Sequence, residues 1–363
     1  METIVRVDLG ERGYDIRIGA DFASLLQVKG AGRSALILAD SNTGPLYRDA
    51  VSRILAKCGH VCSYLEIPAG ESSKCLEQLG RVLEHAVGAG LDRKSVLVAL
   101  GGGVVGDLGG FAAAVYLRGI SFLQVPTSLL AMVDSAVGGK TGINLPQGKN
   151  LVGAFYQPVA VTVNLQTLQT LPEREYRSGL AEVVKYGIIH DAAFFDLLER
   201  EQAALLRRDP SVLGQIVARC CEIKAEIVSR DEREGGLRAI LNYGHTFGHA
   251  IEAVCGYGTY LHGEAISLGM VYANHVSGMC YGFSAVASRR VRDLLAGFGL
   301  PVQFERCEEW GRLRAVMSSD KKADRQVPMF VLVEDMGTVH FGCEVPEDVL
   351  QAAYAHVCEG ERK

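Results

Sequence analysis

The feature that most constrains the fold of this 363-residue chain is the alternation of β-type and helical segments over its first 165 residues. SALILAD at 34–40, VCSYLEIPAG at 61–70 and SVLVALGGG at 95–103 are predicted strands, and PLYRDAVSRILAKCG and ESSKCLEQLGRVLEHAVGAG are predicted helices. This alternation predicts a mostly parallel sheet with helices on both faces. Because ligands of such sheets bind beyond the carboxyl ends of the strands, Asp40, Glu71 and residues 101–103 mark the expected binding edge.

The second half of the chain has a helical pattern. SGLAEVVKYGIIHD, SVLGQIVARCCEIKAEIVSRDERE and GEAISLGMVYANHVSGM carry apolar residues at three- and four-residue spacing, which is typical of packed helices. We therefore predict two domains. The first, over residues 1–165, is a Rossmann-like α/β domain, and the second, over residues 166–363, is an all-α domain.

Charge and cysteine usage exclude several classes of protein. The net charge is -5 and no basic stripe stands out, which argues against nucleic-acid or membrane-surface partners. The apolar run GISFLQVPTSLLAMV is interrupted by Pro126 and stops at Asp134, so no segment is expected to span a bilayer. The ten cysteines form no CxxC pair, so we expect reduced thiols in a cytoplasmic protein.

A glycine-rich segment, GGGVVGD at 101–107, joins a predicted strand to the helical GGFAAAVYLR. Glycines there let the backbone approach a diphosphate, and the helix N-terminus offers free N–H donors. No acidic residue lies about twenty positions further on to hold a ribose, so a tight strand-to-helix turn explains this segment equally well. A second cluster, VGGKTG at 137–142, favours nucleotide binding. It is not a P-loop, because Asp134 stands where that motif needs glycine, and hydrolysis of a nucleoside triphosphate is disfavoured.

Four residues of the helical half are candidate metal ligands: Glu182, His245, His249 and His262. His245 and His249 are four apart and share one helical face. One carboxylate and two imidazoles would make an open site on a divalent ion. Two simpler interpretations stay open: Glu182 pairs with Lys185, or each histidine is a structural donor in the core. The spacing does exclude a zinc protease, since Thr246 replaces the glutamate of HExxH.

Seven segments resemble, in order, the signature segments of the 3-dehydroquinate synthase family. They are GGGVVGDLGGFAAAVYLRGI, QVPTSLLAMVDSAVGGKTGIN, GKNLVGAFYQP, GLAEVVKYG, DEREGGLRAILNYGHTFGHAIE, LHGEAISLGM and DKK. The resemblance runs from about residue 34 to about residue 335. It implies a phosphate-eliminating lyase of the shikimate pathway, on the route to chorismate and the aromatic amino acids. The family makes 3-dehydroquinate and phosphate from 3-deoxy-D-arabino-heptulosonate 7-phosphate, uses NAD and Zn²⁺ or Co²⁺, and is commonly a homodimer.

The resemblance also implies roles for individual residues. The metal ligands would be Glu182, His245 and His262, and His249 would transfer protons with Glu234. The NAD contacts would be Asp40, Asn42, Glu71, Lys74, Gly102, Gly103, Val104, Asp107, Thr127, Ser128, Lys140, Lys149 and Thr170. The sugar phosphate would be bound by Asp134, Lys140, Asn150, Lys185, Lys224, Arg238, Asn242, His262, one or both of Lys321 and Lys322, and Arg118 from across a dimer interface. Asp134, Lys140 and Arg238 would also take part in the chemistry. The family often has threonine at Ser128, and the hydroxyl is retained.

The implied chemistry explains why these groups belong together. Hydride transfer from carbon 5 to NAD⁺ would acidify the proton on carbon 6, so that phosphate can leave before the hydride returns and an aldol step closes the ring. The alternatives are a related cyclase that makes an inosose, a valiolone or amino-dehydroquinate, a metal-dependent NAD polyol dehydrogenase, or a non-catalytic protein on the same scaffold. Lys224, Arg238 and the DKK segment favour a substrate with a carboxylate, which dehydroquinate and its amino variant share.

Overall fold

The computed structural model describes residues 2–19, 21–27, 34–256, 258–306, 309–318 and 327–359. The chain forms two compact units, each interrupted in sequence. The first comprises Met1–Leu171 and Pro210–Arg233, and the second comprises Pro172–Asp209 and Glu234–Lys363. No helix among the described residues is both long and apolar enough to cross a membrane.

The first unit is built on a seven-stranded sheet, counted over the described residues. Its strands are β1 (Thr3–Val7), β2 (Tyr14–Gly19), β3 (Ser34–Asp40), β4 (Val61–Ile67), β5 (Val96–Gly101), β6 (Ser121–Pro126) and β9 (Ala160–Asn164). Their spatial order is β1-β2-β9-β6-β5-β3-β4, and every neighbouring pair except β1–β2 is parallel. A separate antiparallel hairpin joins β7 (Lys140–Leu145) to β8 (Gly148–Phe155).

Helices cover both faces of this sheet, as predicted. They are α1 (Gly44–Lys57), α2 (Leu76–Gly88) and α3 (Gly103–Val115), with α7 (Pro210–Arg230) also in this unit. Alternate residues of β3 point to opposite faces: Leu36 and Leu38 pack in the core with α2 and α3, whereas Ile37 and Ala39 pack in the core with α1. Since both faces of β3 are buried, its almost continuous apolar sequence follows from the packing.

Helix α7 lies in the first unit, whereas the sequence-based division placed all residues after 165 in the second domain. Its apolar face packs on β1 and on the short π-helix Ala131–Ser135. The thiol of Cys221 donates to the carbonyl oxygen of Met132 at 3.4 Å. A helical pattern shows that a segment has an apolar face, but not which part of the chain covers that face.

The second unit is helical with one added hairpin. Its helices are α4 (Glu173–Ile189), α5 (Ala192–Arg200), α6 (Gln202–Leu206), α8 (His245–Cys255), α9 (His262–Tyr281), α10 (Ala285–Gly297), α11 (Trp310–Ser318) and α12 (Glu347–Glu359). The hairpin joins β10 (Met329–Asp335) to β11 (Thr338–Glu344). The predicted helical domain is confirmed, and the hairpin is added to it: the apolar residues of β10 pack against α9, and Val333 N donates to Ser277 Oγ at 3.0 Å.

Candidate functional site

The predicted ligands Glu182, His245 and His262 come together in the second unit. Oε1 of Glu182 lies 3.5 Å from Nε2 of His245 and 3.6 Å from Nε2 of His262. Two atoms bound to one tetrahedral Zn²⁺ ion are about 3.4 Å apart, since each bond is about 2.1 Å long. Both distances therefore match the spacing of donors around a single ion, and the donor atoms of all three residues lie within 4.8 Å of one another. One carboxylate and two imidazoles also fit the preferences of Zn²⁺ or Co²⁺ and leave a coordination position for a substrate oxygen.

Both histidines are oriented by a second hydrogen bond. Nδ1 of His245 lies 3.0 Å from the carbonyl oxygen of Tyr243, and Nδ1 of His262 lies 3.3 Å from Oε2 of Glu252. A proton on Nδ1 satisfies each acceptor, and Nε2 of each ring then faces Glu182. The two rings are thus held in the orientation that metal binding through Nε2 requires.

Each of the three residues lies on a different helix, so their spacing depends on how closely the helices pack. Glu182 lies within α4, and His245 and His262 are the first residues of α8 and α9. Gly263 N donates to Ser178 Oγ at 2.9 Å, one turn before Glu182 on α4. A Cβ atom at Gly263 would lie 1.8 Å from the Ser178 carbonyl oxygen. Only glycine allows this approach, which brings His262 beside Glu182.

The ion pair that offered a simpler explanation for Glu182 is also present. Its Oε2 atom pairs with Lys185, while its Oε1 atom faces the two imidazoles. The side chains of Glu182 and Lys185 are 0% and 1% exposed. A carboxylate buried this deeply is costly unless charged or polar groups surround it. The two interpretations of Glu182 are therefore compatible, because each concerns a different oxygen.

The pKa values of the two histidines are shifted in opposite directions. Burial, together with the positive charge of Lys185, holds the pKa of His245 well below its usual value. Burial acts in the same direction on His262, but hydrogen bonds to Glu182 and Glu252 outweigh it and raise the pKa of His262 to about 10. A neutral imidazole coordinates an ion directly, whereas a protonated one first releases a proton.

Three other predicted residues of the second unit lie on the segment before α8, and one lies on α8 itself. Asn242 Nδ2 donates to Glu234 Oε1 at 2.7 Å. Arg238 is 1% exposed and belongs to the 3₁₀ helix Leu237–Asn242. His249 is exposed one turn after His245, with ring centres 5.2 Å apart. A buried guanidinium and an exposed imidazole suit anion binding and proton transfer, respectively.

The predicted nucleotide contacts of the first unit begin at the carboxyl edge of its sheet. The adjacent parallel strands β3, β5 and β6 end at Asp40, Gly101 and Pro126. Oδ1 of Asp40 accepts a hydrogen bond from the backbone N of Asn42 at 2.9 Å, which closes a turn after β3. Helix α3 follows β5 directly, with Gly102 as its N-cap. The first N–H groups of α3 thus lie at the edge where such sheets bind ligands.

Helix α3 packs closely against the β7–β8 hairpin and against strand β6. A Cβ atom at Gly110 would lie 2.4 Å from Cγ2 of Thr141 and 2.9 Å from the ring of Phe122. Gly103 and Val104 form the first turn of the helix and are half-buried. The glycine segment is therefore at least a tight strand-to-helix turn, and its contact with a diphosphate stays a prediction.

A cluster of charged and polar residues includes Asp107, in the second turn of α3. Lys74 is buried and pairs with Asp107 of α3. Asn144 Nδ2 donates to Glu71 Oε1 at 2.7 Å, and Asn144 N donates to the Lys74 carbonyl oxygen at 2.8 Å. Burial raises the pKa of Asp107, and the positive charge of Lys74 opposes that rise. Four polar groups from three segments of the first unit are thereby fixed together.

A second charged pair involves Asp134, which lies in the π-helix Ala131–Ser135. The buried Lys224 of α7 donates to the Asp134 carbonyl oxygen at 2.6 Å and to its Oδ1 atom. Single π-helical turns are frequent at functional sites because the extra residue redirects side chains. The structure thus brings together two residues that the resemblance assigned to the substrate, 90 positions apart in sequence.

The remaining predicted contacts of the first unit vary in exposure. Thr127 is buried, Ser128 and Lys149 are half-buried, and the exposed residues are Arg118, Lys140, Asn150 and Thr170. The Thr170 hydroxyl is hydrogen-bonded to Tyr47 OH. Lys321 and Lys322 lie outside the described residues.

Two residues at these sites were missed by the sequence reasoning. Glu252, which contacts His262, lies seven residues after His245 and three residues after His249. That spacing was a usable signal, since positions i, i+4 and i+7 share one helical face. Asn144, which contacts Glu71, carried no comparable signal.

Family models match two adjacent parts of the chain. The 3-dehydroquinate synthase N-terminal model matches residues 64–178, and the 3-dehydroquinate synthase C-terminal model matches residues 179–323. A 3-dehydroquinate synthase from Pelobacter propionicus is 49% identical over 341 residues, which cover 92% of this chain and 94% of that protein.

Solved structures of sugar-phosphate cyclases share the fold. A 2-deoxy-scyllo-inosose synthase complexed with carbaglucose-6-phosphate, NAD⁺ and Co²⁺ is 25% identical, with a TM-score of 0.88 and coverage of 99% of this chain and 100% of that chain. The 2-epi-5-epi-valiolone synthase from Streptomyces hygroscopicus subsp. jinggangensis 5008, with NAD⁺ and Zn²⁺ bound, is 27% identical, with a TM-score of 0.89 and coverage of 98% and 99%. On the family models and the 49% identity, this chain belongs to the 3-dehydroquinate synthase family.

Proposed function

We propose that this protein converts 3-deoxy-D-arabino-heptulosonate 7-phosphate into 3-dehydroquinate and phosphate, as a carbon–oxygen lyase that uses NAD⁺ and a divalent ion. The observation that carries the proposal is the cluster of Glu182, His245 and His262, whose donor atoms are close enough together to bind one ion. When bound, NAD⁺ would take up and return a hydride, and the ion would polarise the carbonyl that oxidation creates on the substrate.

The first unit would hold the dinucleotide at the carboxyl edge of its sheet. The turn after β3, closed by Asp40 and Asn42, and the glycine turn before α3 lie at the ends of neighbouring parallel strands. Backbone N–H groups of the first turn of α3 would bind the diphosphate, helped by the helix dipole. The Lys74–Asp107 pair and Glu71 would contact the dinucleotide at the same edge of the sheet.

The substrate carries a phosphate and a carboxylate, and buried cations are suited to both. Lys224 donates to Asp134, and the two side chains together would contact a substrate hydroxyl. Arg238, held in a 3₁₀ helix, would bind an anionic group as a fixed guanidinium. The other proposed substrate contacts are Lys140, Asn150, Lys185, Asn242, His262 and one or both of Lys321 and Lys322.

Proton transfer would involve His249 and Glu234. The imidazole of His249 is exposed and lies one helical turn from His245, so it can exchange protons with solvent while facing the metal ligands. The carboxylate of Glu234 accepts a hydrogen bond from Asn242 at 2.7 Å, which fixes its orientation.

The deciding experiment measures phosphate release from the heptulosonate phosphate with NAD⁺ below the enzyme concentration, with and without a chelator. A cyclase releases many phosphates per NAD⁺ and stops when the ion is removed. His245→Ala should abolish turnover, while His275→Ala, at a histidine stacked on His356 outside the cluster, should retain it. Stoichiometric NADH without phosphate would instead identify a polyol dehydrogenase. Comparable turnover of glucose 6-phosphate would identify a cyclase with another product.

We also propose a homodimer in which Arg118 reaches the partner's site. Leu117 and Arg118 have φ angles of 49° and 66°, which is rare for residues with a side chain. Val115 and Leu117, which are close to Arg118 in sequence, have exposed apolar side chains. Mixing inactive Arg118→Ala and His245→Ala subunits should restore activity, because a heterodimer then contains one intact site. Absence of restored activity in verified heterodimers would contradict this arrangement.

A further inference from the structure

One buried carboxylate beside the metal ligands, Glu252, has no role in the function proposed above. Its Oε2 atom lies 3.3 Å from Nδ1 of His262, and its side chain is 6% exposed. We infer that Glu252 is a positioning residue of the metal centre, which holds the His262 ring so that Nε2 faces the ion. The inference deepens the proposed function and rests on the proposed metal site.

The geometry separates the two nitrogens of His262 by function. Nε2 lies 3.6 Å from Glu182 Oε1, on the side where the ion would bind, while Nδ1 faces Glu252. Because His262 is the first residue of α9, it has no preceding helical turn to restrict its rotamers. A carboxylate fixed on α8 supplies that restriction from outside α9, as outer carboxylates do for many zinc-bound histidines.

Charge explains why a carboxylate suits this position. The charges of Glu182 and Lys185 balance each other in their buried pair. A bound divalent ion would then add two uncompensated positive charges to a buried site, which is unfavourable. Glu252 offsets one of them without occupying a coordination position. The partner of His245 Nδ1 is a neutral carbonyl group. Of the two groups that accept from a histidine Nδ1, only Glu252 therefore brings a negative charge.

A second arrangement has to be distinguished. His249, Glu252 and His262 also have donor atoms within 4.8 Å of one another, so these three could form a separate site. If both sites were filled, His262 would bind one ion through each nitrogen and would have no proton. Neutral imidazole retains one proton, and two nearby dications repel each other. These costs favour a single bound ion, with Glu252 hydrogen-bonded to a ligand but not coordinated to the ion.

The test measures Zn²⁺ affinity and stoichiometry of the full-length protein by competition with a chromophoric chelator. Glu252→Gln keeps the volume and an acceptor oxygen but removes the charge, and we expect Kd to rise about tenfold; for Glu252→Ala we expect a rise of about 10- to 100-fold. Glu199→Gln is the matched control, since it removes a carboxylate that pairs with Arg290 elsewhere in the second unit. Its Kd should stay within about twofold of the parent value. Circular dichroism and the thermal midpoint of the metal-free variants show that they are folded.

The Co²⁺ absorption spectrum provides a second readout. At saturation the parent and Glu252→Gln should show one ion per chain and the same tetrahedral band pattern, since the coordinating atoms are unchanged. Unchanged Kd values in both Glu252 variants would overturn the inference while leaving the metal site in place. Two ions in the parent and one in the variant, or a changed band pattern, would make Glu252 a ligand and also overturn it. A parent that binds no ion would refute the proposed function itself.

Discussion

Substituting alanine for Gly263 tests whether helix packing sets the geometry of the metal centre. The new Cβ atom would lie 1.8 Å from the Ser178 carbonyl oxygen, whereas real Cβ contacts essentially never fall below 3.0 Å. Helices α9 and α4 must therefore separate locally by about 1.2 Å. Because His262 precedes residue 263 and Glu182 lies one turn beyond Ser178, this separation falls directly between two ligands.

The size of the effect follows from what a metal site tolerates. Metal–ligand distances vary by about 0.2 Å, so a shift of about 1.2 Å takes His262 out of coordination range. We expect Kd for Zn²⁺ to rise at least about 100-fold, or about 3 kcal/mol. Overpacking costs about 1–3 kcal/mol, while alanine gains about 1 kcal/mol over glycine in a helix. The metal-free protein should therefore lose at most about 2 kcal/mol.

Gly278→Ala is the matched control, because it makes the same change on the same helix. There the nearest atom to the new Cβ would be the Phe283 carbonyl oxygen at 3.4 Å, an ordinary contact. This variant should match or slightly exceed the parent in stability and bind Zn²⁺ equally well. Chelator competition and thermal unfolding without metal measure the two effects separately. If Gly263→Ala bound Zn²⁺ as tightly as Gly278→Ala, close packing of α9 on α4 would not set the ligand geometry.

Three further variants test other parts of the molecule. Lys74→Met removes the cation that opposes the raised pKa of Asp107; a carboxyl whose pKa is higher in the folded than in the unfolded state loses stability as pH rises between the two values. Urea unfolding should therefore show a deficit of about 3 kcal/mol near pH 8 that shrinks toward pH 5, and an equal deficit at both pH values would contradict this. Lys224→Met removes a charged donor to Asp134, so kcat/KM should fall about 10- to 100-fold with unchanged Zn²⁺ affinity; parent-like kinetics would exclude Lys224 from the substrate site. Arg174→Ala removes a bidentate contact with Glu264 at 2.7 Å and a hydrogen bond to the Thr259 carbonyl oxygen. Because the Arg174 side chain is 55% exposed, the substitution should lower the free energy of unfolding by less than about 1 kcal/mol, measured by thermal unfolding. A larger loss would show that this contact holds the segment before α9.

The sequence predicted those features that depend on local pattern. β3 and β5 appear as continuous apolar runs because both of their faces are buried. The shared helical face of His245 and His249 follows from their spacing, and their ring centres are 5.2 Å apart. The assembly of Glu182, His245 and His262 was implied by the family resemblance rather than by spacing, since 63 and 80 residues separate Glu182 from the two histidines in sequence.

Other features depend on tertiary packing and carry weak local signals. The helical pattern of α7 does not show that its apolar face covers β1 in the first unit. The spacing of Glu252 places it on the helical face of His245, but it does not show that α9 brings His262 against it. The π-helix that presents Asp134 lies in an apolar run that a regular helix would fit equally well. In each case the deciding contact comes from a segment distant in sequence.

The metal centre also shows why glycine is placed where coordination must be accurate. A carboxylate or imidazole can reach an ion from many backbone positions, but long reach leaves many rotamers to be restricted. Here backbones approach each other directly: Gly263 contacts the Ser178 carbonyl group, and a Cβ atom at Gly269 would lie 1.9 Å from the Gly244 carbonyl oxygen, next to His245. Packed main chains deform little, so the positions of α4, α8 and α9 are set before side chains are considered. The hydrogen bonds to Tyr243 and Glu252 then need only to fix ring orientation.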